Sequence, residues 1–224
     1  MCGRYVLNAP EDLSERFQLR QLTINLPRTY NAAPSEMLPA IFPQDGERVA
    51  ELMQWGLIPR WRKPGEKDNF APINARAETI LEKPMFRNLV ARRRCLVPAN
   101  GFYEWQRRED RKQPYFISVT DDPTFAFAGL YDMHKEDDGG DLIGSYTILT
   151  TSANKLMESI HDRMPVILRK EDEEEWLSPE VTDPVAIQHL LQPYPAKEME
   201  AYPISTAVNN VRNDGEELIK PLEK

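Results

Sequence analysis

The sequence first offers chemistry at Cys2, in the run Met1-Cys2-Gly3-Arg4-Tyr5. A small second residue lets the initiator methionine be removed, and the mature chain then opens on a cysteine. That residue would carry a free α-amine and a thiol on adjacent carbons. The amine titrates near about 7.7–8.0 and the thiol near about 8.5, so both are partly nucleophilic at neutral pH. An amine attacks an aldehyde to give a Schiff base. The neighbouring thiol then closes onto the imine as a five-membered thiazolidine, which outlasts an imine. A cysteine placed second by the accident of the start would do none of this, and Cys2 alone does not separate the two.

Other polar residues sit in apolar surroundings. Glu104 lies in Gly101-Phe102-Tyr103-Glu104-Trp105, among three aromatics. A carboxyl placed so can act as acid and base in turn; an exposed residue on the alternate face of a strand would read the same. His161 lies in Ile160-His161-Asp162-Arg163-Met164-Pro165. An imidazole there can move a proton at neutral pH, or simply favour the negative end of a helix. Asn74, Arg76 and Glu78 alternate in Ile73-Asn74-Ala75-Arg76-Ala77-Glu78-Thr79, which puts all three on one face if the run is extended. Asn74 could then orient a carbonyl or amine, and Arg76 could hold a phosphate. No Ser/His/Asp order, phosphate-cradling glycine loop or dinucleotide fingerprint is present. Ten glycines in 224 residues leave little room for such a loop.

The elements that must position these residues are mostly short strands. Residues 38–42 and 49–54 read as strands around the turn Gln44-Asp45-Gly46. Residues 94–98, 101–107, 115–120, 124–130, 145–151 and 164–168 read as further strands. Pro10 with Glu11 and Asp12 starts a helix that presents Leu13 and Phe17 to a core. Residues 153–160 read as a short helix, and 171–176 and 185–191 as acidic, exposed helices. Residues 30–34, 59–72 and 137–140 read as loops or turns. The expected fold class is α+β, with a mainly antiparallel, barrel-like sheet and peripheral helices in one domain over residues 1–224.

Composition is that of a soluble globular protein, 41% hydrophobic and 29% charged. No apolar run approaches a membrane span, and Arg4, Asn8, Glu11 and Asp12 interrupt any secretory signal. Two cysteines without metal-ligand spacing imply neither a disulfide framework nor a zinc site, and a cytoplasmic location is expected. Net charge is −8, yet Trp55 to Lys112 holds 14 basic against 7 acidic residues, an excess of +7 that leaves −15 elsewhere. A local basic face on an acidic protein can still bind phosphates, although solvated surface arginines would give the same count.

Taken together, the chain resembles the SOS-response-associated peptidase family, the abasic-site-shielding proteins found from bacteria to animals. The resemblance rests on Cys2-Gly3-Arg4-Tyr5, Tyr30-Asn31-Ala32-Ala33-Pro34, Trp55-Gly56-Leu57-Ile58-Pro59 with Trp61, Asn74 to Thr79, Pro98 to Trp105, Gln113-Pro114-Tyr115-Phe116 and His161 to Pro165. Two departures are small: Asn100 stands where many members have Asp or Ser, and Arg62 where some carry a second aromatic.

This resemblance implies a covalent nucleophile, Cys2, surrounded by Asn74, Glu104 and His161. It implies a substrate, single-stranded DNA bearing an abasic site, bound by Arg4, Asn31, Pro34, Trp61, Arg76 and Arg163. His161 would assist opening of the sugar ring, Glu104 would shuttle protons, and Asn74 would hold the amine or the sugar. The arginines would grip phosphates, while Trp61 and Pro34 pack on bases. No metal or organic cofactor is required. The protein is expected as a monomer, free of membrane and associated with the nucleoid when bound to DNA. Two rivals remain: an N-terminal-cysteine peptidase acting on itself or on peptides, with lyase-like activity beside it, and a non-catalytic binding module that uses only the basic face.

Overall fold

The computed structural model describes residues 2–20, 24–62, 71–135 and 141–222. Met1, most of the basic 59–72 loop and the turn at 137–140 lie outside the described residues. The chain runs through β1 (Tyr5–Leu7), the one-turn helix α1 (Leu13–Arg16), β2 (Thr29–Ala32), β3 (Met37–Gln44), β4 (Glu47–Trp55), β5 (Asn74–Arg76) and α2 (Pro84–Arg92). It continues through β6 (Arg94–Ala99), β7 (Gly101–Arg107), β8 (Lys112–Val119), β9 (Phe125–Lys135) and β10 (Leu142–Ser152). Last come β11 (Arg163–Pro165), β12 (Ile167–Leu168), α3 (Glu173–Leu177) and β13 (Met199–Pro203).

Five strands close on themselves in the order β10-β4-β3-β6-β9, with β9 returning to β10 through pairs such as Tyr131↔Tyr146. The fold is α+β, a barrel with an adjoining sheet and few helices. Closure removes most of the open edges a sheet would otherwise expose. Only β10–β4 is a parallel pairing around this ring. The β3–β4 hairpin turns through Asp45 and Gly46, both at positive φ (53° and 81°). Those angles match the right-handed twist of the flanking strands, and Gly46 adopts them without a Cβ penalty.

The second sheet has the order β13-β8-β7-β1-β2, all antiparallel. It packs on the barrel through aromatic edges. The Tyr5 ring lies 5.1 Å from Trp55 and 5.9 Å from Phe127, and Phe102 lies 6.0 Å from Phe127. Such pairs add about 0.5–1.5 kcal/mol each beyond burial. Tyr5 and Tyr146 share a buried hydroxyl–hydroxyl hydrogen bond of 2.9 Å across the same contact. Gly101 lets β7 approach β8, since a Cβ there would fall 2.3 Å from the Phe116 ring. The start of β1 is thereby fixed against both sheets.

Several expected elements differ. Residues 29–32 are strand, because β1 supplies backbone partners (Tyr5↔Ala32) and the Asn31 side chain turns inward. The expected helix over 153–160 reduces to a 3-10 turn at Met157–Ser159, where Asn154 Oδ1 accepts from the backbone of Leu156 and Met157. Residues 185–191 likewise hold only a 3-10 turn, Gln188–Leu190. The acidic helix after Lys170 is not exposed: Glu173, Trp176 and Leu177 are buried. Glu173 accepts from both Arg16 and Arg48, which meets its charge inside the fold. No helix among the described residues is long and apolar enough to cross a membrane.

Candidate active site

The last third of β10 is flanked on both edges. β5 lies parallel on one side (Thr150↔Arg76) and β11 antiparallel on the other (Ser152↔Arg163). These two short strands bring the segments carrying Asn74 and His161 to one end of the barrel. β1 and β7 deliver the other two residues, since Cys2 lies just ahead of β1, before Gly3 and Arg4, and Glu104 lies within β7. The Arg4 carbonyl accepts from the Tyr103 backbone at 3.1 Å, which locks these two strands in register.

Asn74 Nδ2 donates to the Cys2 carbonyl oxygen at 2.7 Å. Its other amide atom, Oδ1, is buried and has no hydrogen-bond partner among the described residues. A buried acceptor left open calls for an explanation. Cys2 is fully buried, with Sγ 3.8 Å from the Arg4 carbonyl. Burial, and then the charge of Glu104, push its thiol well above the ordinary value. Glu104 is itself only 2% exposed. Cys2 and Glu104 are thus buried together, with the half-buried Asn74 bonded to Cys2.

Glu104 and His161 share the wall of a cavity of about 560 Å³, together with Trp105, Ile160 and Asp162. His161 Nδ1 accepts from the Arg163 backbone N–H at 3.0 Å and lies 2.9 Å from Asp162 Oδ1. One nitrogen cannot accept from an amide and donate to a carboxylate at once. The amide contact belongs to the neutral ring, which then keeps its proton on Nε2, and the Asp162 contact belongs to the imidazolium.

The remaining residues named from the sequence fall into three settings. Arg163 is paired: Nη1 and Nη2 donate to the two Glu78 oxygens at 2.6 and 2.9 Å, and Nη2 also reaches the Thr150 carbonyl at 2.7 Å. Glu78 does not continue the face of Asn74 and Arg76, because β5 ends at Arg76 and a 3-10 turn follows. Arg4 and Asn31 form a second unit, joined at 2.8 Å. Arg4 also donates to the Val208 carbonyl, and the buried Asn31 amide reaches the carbonyls of Val208, Asn210 and Asn213. Nothing in the sequence pattern pointed to residues 208–213. Arg76, Pro34 and Trp61 are exposed, Trp61 at 67%. Among the described residues no three His, Cys, Asp or Glu side chains cluster as metal ligands would.

Comparison with known proteins bears on this arrangement. A family model described as SOS response associated peptidase (SRAP) matches residues 1–211. The chain is 45% identical over 227 residues to the abasic site processing protein YoqW of Bacillus subtilis, covering 98% of this chain and 99% of that one. It is 35% identical over 224 residues to the abasic site processing protein HMCES of Xenopus tropicalis, covering 87% of this chain and 66% of that one. A crystal structure of a protein from Bacteroides thetaiotaomicron superposes with a TM-score of 0.89 at 31% identity, covering 99% of this chain and all of that one.

Proposed function

Because the chain belongs to the SOS response associated peptidase family, we propose that it processes abasic sites in DNA by forming a covalent adduct on Cys2. The observation that carries this reading is the state of Asn74. Its Nδ2 holds the Cys2 carbonyl while its buried Oδ1 waits for a donor. Removal of Met1 would turn the nitrogen of Cys2, an amide with one N–H, into an α-amine with further N–H donors on the same residue.

An abasic sugar equilibrates between a closed hemiacetal and a little open aldehyde. His161, with its proton on Nε2, donates to the ring oxygen as the ring opens. The Cys2 amine attacks the aldehyde carbon, and Glu104 moves a proton from nitrogen to the departing hydroxyl, which leaves as water. Burial and the Glu104 charge keep the thiol protonated until the imine exists. Sulfur then adds to the imine carbon, and the thiol proton passes through Glu104 to nitrogen. The net change is loss of one water and formation of one C–N and one C–S bond. A peptidase would instead need a thiolate on Cys2, which burial and the neighbouring carboxylate both oppose. Exposed Trp61 and Pro34 with Arg76 suit a bent single strand bound by one copy of the chain.

The test is the intact mass of processed protein mixed with an abasic single-stranded oligonucleotide. The expected product is protein plus oligonucleotide less one water, stable without a reductant. Cys2→Ala should lose it and keep most DNA affinity, because phosphate contacts supply that affinity. A chain carrying a non-removable extension before Cys2 should also give no adduct. Equal cross-linking by the extended chain would sink the thiazolidine route. DNA binding indifferent to Cys2, with no adduct at all, would leave only a binding module.

A further inference from the structure

Arg107 and Lys112 stand directly opposite each other at the turn end of the β7–β8 hairpin. Cross-strand partners have Cβ atoms about 4.5–5.5 Å apart, and like charges so placed repel. Neither side chain forms an ion pair with a described residue, and the arm's own acids, Glu109 and Asp110, sit at its turn and pair with neither. Both cations are exposed. Both line the same cavity as Glu104 and His161. Gln106, between Glu104 and Arg107, ties the same strand to the loop before His161 by donating to the Ser159 carbonyl at 2.7 Å. The arm is therefore fixed relative to the proton-moving residues.

We propose that Arg107 and Lys112 together grip one phosphodiester of the DNA strand where it leaves the cavity, a contact that rests on the DNA-processing reading above. An anion between them turns a repulsive pair into a two-cation clamp, with the guanidinium offering a fork and the ammonium a point charge. The other charged groups on this wall are Glu104, His161 and Asp162. Glu104 is only 2% exposed, and Asp162 lies beside the His161 ring, 2.9 Å from Nδ1.

The test uses full-length protein carrying Cys2→Ala, so that binding is read without reaction. Affinity for abasic single-stranded DNA is measured against salt for that protein and for the same protein with Arg107→Gln and Lys112→Gln. Losing one single-strand phosphate should lower the slope of log K against log[salt] by about 0.7. Exchanging the cations (Arg107→Lys with Lys112→Arg) should restore it. A single neutral methylphosphonate walked along the strand should equalise the two proteins at one position near the lesion. Melting temperature at low salt should not fall in the double glutamine variant, since repulsion is removed. An unchanged slope in a variant that melts normally overturns the proposal. Stabilisation of the parent by inorganic phosphate with no change in DNA slope also overturns it, in favour of a free-anion site. Failure of the native protein to form any adduct with abasic DNA would count against the function proposed above and is read separately.

Discussion

Arg163 and Glu78 meet through two parallel hydrogen bonds, at 2.6 and 2.9 Å. The arginine expected to grip phosphate is thus already matched by a carboxylate. A phosphate must share or displace that partner. Glu78→Gln should therefore tighten DNA binding at low salt, while Arg163→Ala should weaken it for every sequence alike. Equal weakening by both would show that Glu78 merely orients Arg163. The hydrogen bonds from Arg163 hold the Glu78 carboxyl below its ordinary range. The pair's contribution to stability is present above the unfolded value, about 4.3. It fades as pH falls from there through the folded value, and a pH series of melts on native protein and Glu78→Gln would read it.

Asn74→Ala removes both the donor to the Cys2 carbonyl and the open acceptor beside it. Misplacing a nucleophile by about 1 Å costs about 10²-fold in rate. Single-turnover adduct formation should slow by about that factor, with the same final mass and little change in DNA affinity. Native rates in this variant would remove Asn74 from the reaction.

Glu104→Gln and His161→Ala should each slow adduct formation by about 10²-fold, the lower end for one acid–base group. Product mass should be unchanged. Rates equal to native protein across pH 5–8, measured in both variants, would exclude them from proton transfer.

Trp61→Ala and Arg76→Ala should separate stacking from charge. Loss of the exposed ring should cost about 1–3 kcal/mol with little change in salt slope. Loss of Arg76 should lower the slope by about 0.7. A slope that moves with Trp61, or stays put without Arg76, contradicts this placement of the strand.

Glu173→Ala should destabilise the fold by about 3 kcal/mol, because it leaves Arg16 and Arg48 short of a buried carboxylate. Arg16 still reaches Asp122 at 3.1 Å and Arg48 reaches Glu174 at 2.9 Å, so the protein should remain folded. Denaturant midpoints at constant m-value would measure this.

The Glu173 cluster also shows where sequence reading ends. Its helix looks solvated because its acids are contiguous, and the cations that bury it lie over 120 residues earlier. The strands were legible because apolar runs and turn residues are local signals. β3 and β4 extend the expected pair, and the Asp45-Gly46 turn sits where it was read. α2 was not seen, although Pro84 starts it and Phe86, Leu89 and Val90 make a buried stripe on a helix of only nine residues. Cys2 precedes β1, Asn74 and Glu104 come from β5 and β7, and His161, at the approach to β11, shares a cavity wall with Glu104. No spacing links them; family resemblance named them, and strand pairing explains how Asn74 reaches Cys2. Asn31 and Arg4 look like surface polar groups until residues 208–213 close over them.

That closure has a consequence in time. Arg4 bonds the Val208 carbonyl across 204 positions of chain. Ribosomes add about 5–20 residues per second, so roughly 10–40 s separate the emergence of these two partners. Throughout that interval the first residues have no finished pocket to enter. An aminopeptidase acting on the nascent chain would meet an open terminus, while one arriving after release would meet a buried Cys2. If an aminopeptidase removes Met1, slow synthesis of the C-terminal half would favour a processed protein.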